Sequence, residues 1–167
     1  MTGHIGYVLT PYRTMVRPQT IVVRYRILTS PDAIPVSYQE DASPCREHNP
    51  CTPVAEFHIF FEQRGDDFSS EIGRWWYKPG FRITDIPDAS YTAQPFVADG
   101  QVHMLRVPVT RDEWTSVTNH STSDDFEASL LNAGYVGITF GGSDFFAQGV
   151  FVRQGTVMFE MIDFHTE

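Results

Sequence analysis

Arg74-Trp75-Trp76-Tyr77 is the stretch of this chain whose residue types best suit holding a ligand. A flat aromatic ring stacks on the apolar face of a pyranose, and neighbouring Arg74 and Asp67 offer donors and acceptors to its hydroxyls. Consecutive side chains of a strand point to opposite faces, so Trp75 and Trp76 cannot both be core. One indole is expected inside, with the other and Tyr77 at the surface. The competing reading is packing, in which both indoles cover a loop or the rim of a sheet, the commoner use of large aromatic rings.

Cys45-Arg-Glu-His48-Asn-Pro-Cys51 leaves three readings open. A disulfide between Cys45 and Cys51, closing a small loop, suits an oxidising compartment and is preferred. Two free thiols suit a reducing cytosol. A metal held by Cys45, His48 and Cys51 lacks an evident fourth ligand.

General acid–base cleavage of a glycosidic bond needs two carboxylates about 5 to 10 Å apart. Glu56 and Glu62 share one face of an expected strand but lie about 20 Å apart along it, so they do not pair. Asp66, Asp67 and Glu71 are the candidate partners for Glu56, although acidic residues at turns are usually only solvated. His58 and His103 fall on different strands and would act together only if the sheets brought them into contact; a histidine on a strand is more often a satisfied structural residue. The chain carries no Gly-x-Ser-x-Gly, phosphate-loop or dinucleotide motif, which leans away from an enzyme. Gly141-Gly142-Ser143-Asp144 reads as a connecting loop anchored by Phe145-Phe146. Asn119-His120-Ser121 satisfies the glycosylation sequon, a pattern frequent by chance.

These residues must be positioned by short strands. Ile5 to Thr10 is an apolar run closed by Pro11. In Thr20 to Thr29, Ile21, Val23, Tyr25 and Ile27 alternate with Arg24 and Arg26, the signature of a half-exposed antiparallel strand. After a polar loop from about Gln39 to Pro53, Phe57, Ile59 and Phe61 point one way and Glu56, His58, Phe60 and Glu62 the other. Phe81-Arg82-Ile83 continues beyond the tryptophan cluster. Asp99-Gly100 is a tight-turn pair ahead of Val102 to Thr110, in which His103, Leu105, Val107 and Val109 share a face. Thr110 to Trp114 is a turn that sets a tryptophan against the sheets. A helical turn over about 124–132, capped by Ser123 or Asp124 and leaving through Gly134, presents Phe126 and Leu130 on one side. Tyr135 to Phe140, Gly149 to Arg153 and Thr156 to Phe164 are three further apolar runs. The pattern of about eight to ten short strands with frequent turns predicts an all-β fold, a two-sheet antiparallel β-sandwich of jelly-roll type with one short helix, forming a single domain over 1–167.

Composition narrows the partners. At 167 residues, with 41% apolar and 20% charged content, the chain can bury a full core unaided. A net charge of −9 opposes binding to nucleic acid or to an anionic membrane surface. No apolar run approaches the roughly 20 residues of a membrane helix. Met1-Thr-Gly-His lacks the features of a secretory signal, so the chain is either cytoplasmic or lacks a removed segment. Lys78 is the one lysine beside eleven arginines, which coding bias explains most simply.

The carboxy-terminal order carries a family resemblance. Asp99-Gly-Gln-Val-His-Met-Leu-Arg-Val-Pro108 is followed by Trp114-Thr-Ser-Val, by Phe126 four residues before Leu130, by Asn132-Ala-Gly-Tyr-Val-Gly-Ile-Thr-Phe140 and by a closing strand from Gly155 to Phe164. Residues 99–164 resemble the galactose-binding-like jelly-roll modules that accompany secreted carbohydrate-active enzymes. The closing run, Glu160-Met-Ile-Asp163, departs from the Asp-Asn that many such modules carry there. The resemblance implies a non-catalytic carbohydrate-binding module of a secreted polysaccharide-acting system, working outside the cell or in the periplasm. It requires no cofactor and leaves room for a structural calcium ion held by loop carbonyls and acidic side chains. The alternatives are a structural β-sandwich subunit, with the same aromatics facing a protein partner or a second copy of the chain, and a sandwich-fold glycoside hydrolase or lyase.

Overall fold

The computed structural model describes residues 4–5, 7–12, 20–37, 55–66, 73–83, 97–116, 122–141, 149–152 and 154–167. In chain order they form β1 (His4–Ile5), β2 (Tyr7–Pro11), β3 (Thr20–Thr29), β4 (Pro35–Ser37), β5 (Glu56–Gln63), β6 (Arg74–Tyr77), β7 (Phe81–Arg82), β8 (Val102–Pro108), β9 (Trp114–Ser116), helix α1 (Ser123–Leu131), β10 (Ala133–Gly141), β11 (Val150–Val152) and β12 (Val157–Thr166). The fold is an all-β antiparallel sandwich with one helix. Its larger sheet runs β2-β10-β5-β6-β9, with β7 also paired to β5, and its smaller sheet runs β12-β3-β8. A short ladder, β1-β11-β4, adds a third set of hydrogen bonds. The chain passes repeatedly between the sheets, so most pairings join strands far apart in sequence.

The alternation in β3 places Ile21, Val23, Tyr25 and Ile27 in the core with no exposed surface. Phe57, Ile59 and Phe61 of β5 meet them from the larger sheet. At one end, Tyr25, Phe57, Phe140 and Phe159 stack at ring separations of 5.1 to 6.2 Å. At the other, Phe126 of α1 sets its ring 5.1 Å from Trp75 and 5.6 Å from Phe61, with Trp114 against Phe61 at 5.1 Å. The Trp114 indole N–H donates to the Pro108 carbonyl at 2.8 Å, which offsets its desolvation cost. Each such ring contact adds about 0.5 to 1.5 kcal/mol beyond the area it buries.

The helix begins differently from the expected cap. Thr122, not Ser123 or Asp124, is the N-cap: its hydroxyl accepts from the Asp125 backbone N–H at 3.2 Å, and the Asp125 carboxylate accepts from the Thr122 N–H at 2.7 Å. This reciprocal box satisfies two of the amides a helix start leaves open. The exit also differs, because Asn132 is the C-cap and Gly134 already belongs to β10. Gly134 lies at a register shift between β10 and β5, where a Cβ would come within 2.7 Å of the Arg64 Cα. Close backbone approach, not a left-handed turn, demands glycine there.

Candidate functional site: a buried polar face on the larger sheet

A half-exposed antiparallel sheet turns its even and odd residues to core and solvent. The larger sheet departs from that rule. On the face of β5 opposite the core, Glu56, Phe60 and Glu62 have no exposed surface, and His58 has 8%. Direct pairing brings neighbours to the same face. Thr139 of β10 lies opposite His58, and Tyr135 opposite Glu62. On the other side of β5, Trp76 lies opposite Phe60 and Arg74 opposite Glu62. From the sheet edge, Tyr7 of β2 lies opposite Thr139, and its ring comes within 5.5 Å of Phe60. Gly137, between them on β10 and without a side chain, leaves room for this approach.

Glu62 is the unusual member. Neither of its carboxylate oxygens has a hydrogen-bond partner, although the side chain is fully buried. Buried polar atoms are paired in the great majority of cases, so an orphaned carboxylate marks stored free energy. Burial pushes its pKa up to about 7; the Asp66 carboxylate pushes in the same direction and Arg74 opposes both. Arg74 is itself held by Asp66 through a two-pronged contact, Nε to Oδ2 at 3.0 Å and Nη2 to Oδ1 at 2.9 Å. This fork explains how both charges stay on a buried face. Burial also raises the Tyr7 phenol, with Arg74 acting against it and Glu62 and Asp66 with it.

Glu56 and His58 form a second group. The His58 Nδ1–H donates to the Tyr77 carbonyl at 3.0 Å, the only direction open because a carbonyl cannot donate. His58 Nε2 also lies 3.2 Å from Glu56 Oε1, and that contact requires one further proton between ring and carboxyl. Glu56 Oε2 has no partner. Imidazole nitrogen NMR of the folded chain is expected to place a proton on Nδ1; a ring protonated only at Nε2 would contradict this geometry.

The expected site residues are distributed unequally over this arrangement. Trp76 is half-buried on the polar face, on the opposite side of the sheet from Trp75. Trp75 needs a correction: it is fully buried between Phe126 and the Arg111 guanidinium, which sits 4.8 Å over its ring, so it is a core residue and offers no platform. Tyr77 lies on the core side with Trp75, half-buried, with its ring 5.9 Å from Trp114, and it contributes its carbonyl to the site. Arg74 is buried against Asp66. Asp66 acts on Glu62, not as the partner of Glu56. His58 and His103 do not meet, because β5 and β8 belong to opposing sheets; His103 pairs instead with Asp99 at 2.7 Å. Asp67, Glu71, the sequon at 119–121 and the loop with Cys45, His48 and Cys51 lie outside the described residues, as do 142–148.

Among the described residues no three His, Cys, Asp or Glu side chains group as a metal-ligand set, and no helix is long and apolar enough to cross a membrane. Of the exposed large apolar side chains among the described residues, Val102, Met104, Met158 and Ile162 lie on the smaller sheet, Leu9 on the edge strand β2 of the larger sheet, Ile34 just before β4 and Leu131 at the end of α1. Tyr7, Tyr135 and Thr139 are members of the polar face that local pattern does not reveal. Their one trace in the sequence is Phe60, an aromatic ring placed among Glu56, His58 and Glu62 on a face that would otherwise read as solvated.

Fold and site together define a class: an antiparallel β-sandwich whose larger sheet buries a titratable face behind its core. Set against known proteins, the chain matches no family model, no curated protein and no solved structure.

Proposed function

We propose that the protein is a carbohydrate-binding β-sandwich whose ligand lies along the outer face of the larger sheet. The observation that carries this reading is the half-buried Trp76 in the next strand pair to Glu62, a fully buried carboxylate with both oxygens unpartnered, and the Arg74–Asp66 fork. A sugar needs an apolar surface under its ring and fixed acceptors and donors around its hydroxyls. Trp76 supplies the first. Glu62, Arg74 and Asp66 stand beside it for the second; the Glu62 carboxylate has no exposed surface, so a ligand hydroxyl would donate to it only where the face opens, and would there relieve the desolvation it bears alone. Trp75 has no part in this reading, and Tyr77 enters only through its carbonyl on His58.

Binding to a broad glycan panel tests the proposal. At least one glycan is expected to bind, and Trp76→Ala and Glu62→Gln are each expected to weaken it about tenfold or more. Absence of binding by the native chain, or affinity unmoved by Trp76→Ala, overturns it. One observation favours a second reading, hydrolysis: a carboxyl pushed up to about 7 is matched to proton transfer near neutrality. Turnover of a bound glycan that disappears in Glu62→Gln would replace the binding module with an enzyme.

A further inference from the structure

The polar face opens at one end into a depression of about 500 Å³ lined by Pro11, Tyr12, Arg64, Gly65, Gly134 and Tyr135. That size suits a small ligand. Its walls are built firmly. The Arg64 backbone N–H donates to the Asn132 carbonyl, and the Tyr12 N–H donates to the Gly134 carbonyl, both at 2.8 Å. The Tyr12 hydroxyl is tied to the Thr166 hydroxyl at 2.6 Å. The register shift at Gly134 presses β10 against the Arg64 backbone, and Gly65 turns the chain with a φ of 85° that favours glycine. The depression adjoins the proposed sugar face directly, because Tyr135 stands opposite Glu62 on β5 and opposite Pro11 on β2. Neighbouring strands are about 4.8 Å apart, so β10 and the Trp76 strand are separated by roughly 10 Å across the sheet.

Arg64 is what gives this depression a chemical preference. Its side chain is exposed, and among the described residues no carboxylate pairs with it. Arg26, Arg74 and Arg106 are each taken by Glu160, Asp66 and Glu167 respectively. In a chain of net charge −9, a guanidinium unpaired in a rigid concavity is an uncommon arrangement. A guanidinium matches a carboxylate through two parallel hydrogen bonds, and among the described residues no carboxylate lines the depression to compete. Pro11 and the half-buried Tyr135 ring offer apolar surface in this depression, as a sugar ring requires.

We infer that this depression is a subsite for a carboxylate-bearing sugar, a uronic acid unit of an acidic glycan, whose carboxylate pairs with Arg64 while its ring lies against Tyr135. The inference rests on the carbohydrate-binding reading and specifies its ligand class.

The test uses homogalacturonan and glucuronan oligomers, each as the free acid and as the methyl ester, titrated into the full chain. The free acid is expected to bind at least about tenfold tighter than the ester, the size of a charge-assisted bidentate contact. Arg64→Gln, at an exposed position, is expected to bring the acid down to the affinity of the ester, with an unchanged melting curve. Trp76→Ala is expected to weaken both forms. Equal affinity for acid and ester, or a preference for the acid that survives Arg64→Gln, overturns the uronate assignment; if Trp76→Ala still weakens both forms, sugar binding itself stands. No binding of any of these oligomers by the native chain overturns the uronate assignment, and the glycan panel then decides the broader reading separately.

Discussion

Glu62→Gln is expected to make the fold more stable at pH 8, by up to about 3 kcal/mol, and to change it little at pH 4. The sign follows from linkage. The folded-state pKa of Glu62 is raised from 4.5 to about 7, so the folded chain holds this proton more tightly than the unfolded chain does. Stability is therefore unpenalised below about 4.5, declines as pH rises toward 7, and stays reduced above it. Every tenfold gain in proton affinity on folding corresponds to about 1.4 kcal/mol. Glutamine keeps the shape of the neutral acid and cannot ionise, so the variant should lose this descending limb. Urea denaturation of both proteins at pH 4 and pH 8 measures the effect. A variant no more stable than the native chain at pH 8 would mean that Glu62 meets a partner for its charge. A variant that is more stable and no longer binds its ligand would have the signature of a functional site held at a cost in stability.

Adjacent tryptophans should respond in opposite ways. Trp75→Ala is expected to cost about 3 to 5 kcal/mol, the range for removing a fully buried large aromatic ring. The cavity would open beside Phe126 and the Arg111 guanidinium, in the region where α1 closes the sandwich. Trp76→Ala removes a half-buried ring from the opposite face and should cost less than about 2 kcal/mol while weakening glycan binding about tenfold or more. Chemical denaturation and glycan titration on both variants separate the two roles. A Trp76→Ala protein as unstable as Trp75→Ala would make both indoles packing residues and remove the platform.

The contrast at 75 and 76 shows what local pattern carries and what it does not. Alternation requires that the two indoles point apart, but nothing local says which one faces the core. Pairing decides it: Trp75 falls opposite Phe61 and Trp76 opposite Phe60. The same holds for Glu62. Its place on the face of Glu56 and His58 is legible in β5 alone, whereas its burial is not, since a Glu-x-His-x-Phe-x-Glu alternation ordinarily describes a wet surface. The helix is legible as an element from Phe126 and Leu130, yet its cap lies one residue earlier than expected because the Thr122–Asp125 reciprocity outcompetes Ser123. Gly134 reads locally as a helix exit and is instead the place where β10 meets Arg64.

By itself, then, the sequence determined the fold class, the alternation of β3, β5 and β8, the helix and the aromatic core, because these follow from periodicity within a few neighbouring residues. Tertiary structure alone decided the site. Arg74 comes opposite Glu62 through the β5–β6 pairing, Tyr135 through β10, and Tyr7 reaches the same face through β2, contacts between segments far apart in the chain. The raised pKa of Glu62 is likewise a property of that assembly, since desolvation and the fields of Asp66 and Arg74 exist only once the strands are in register.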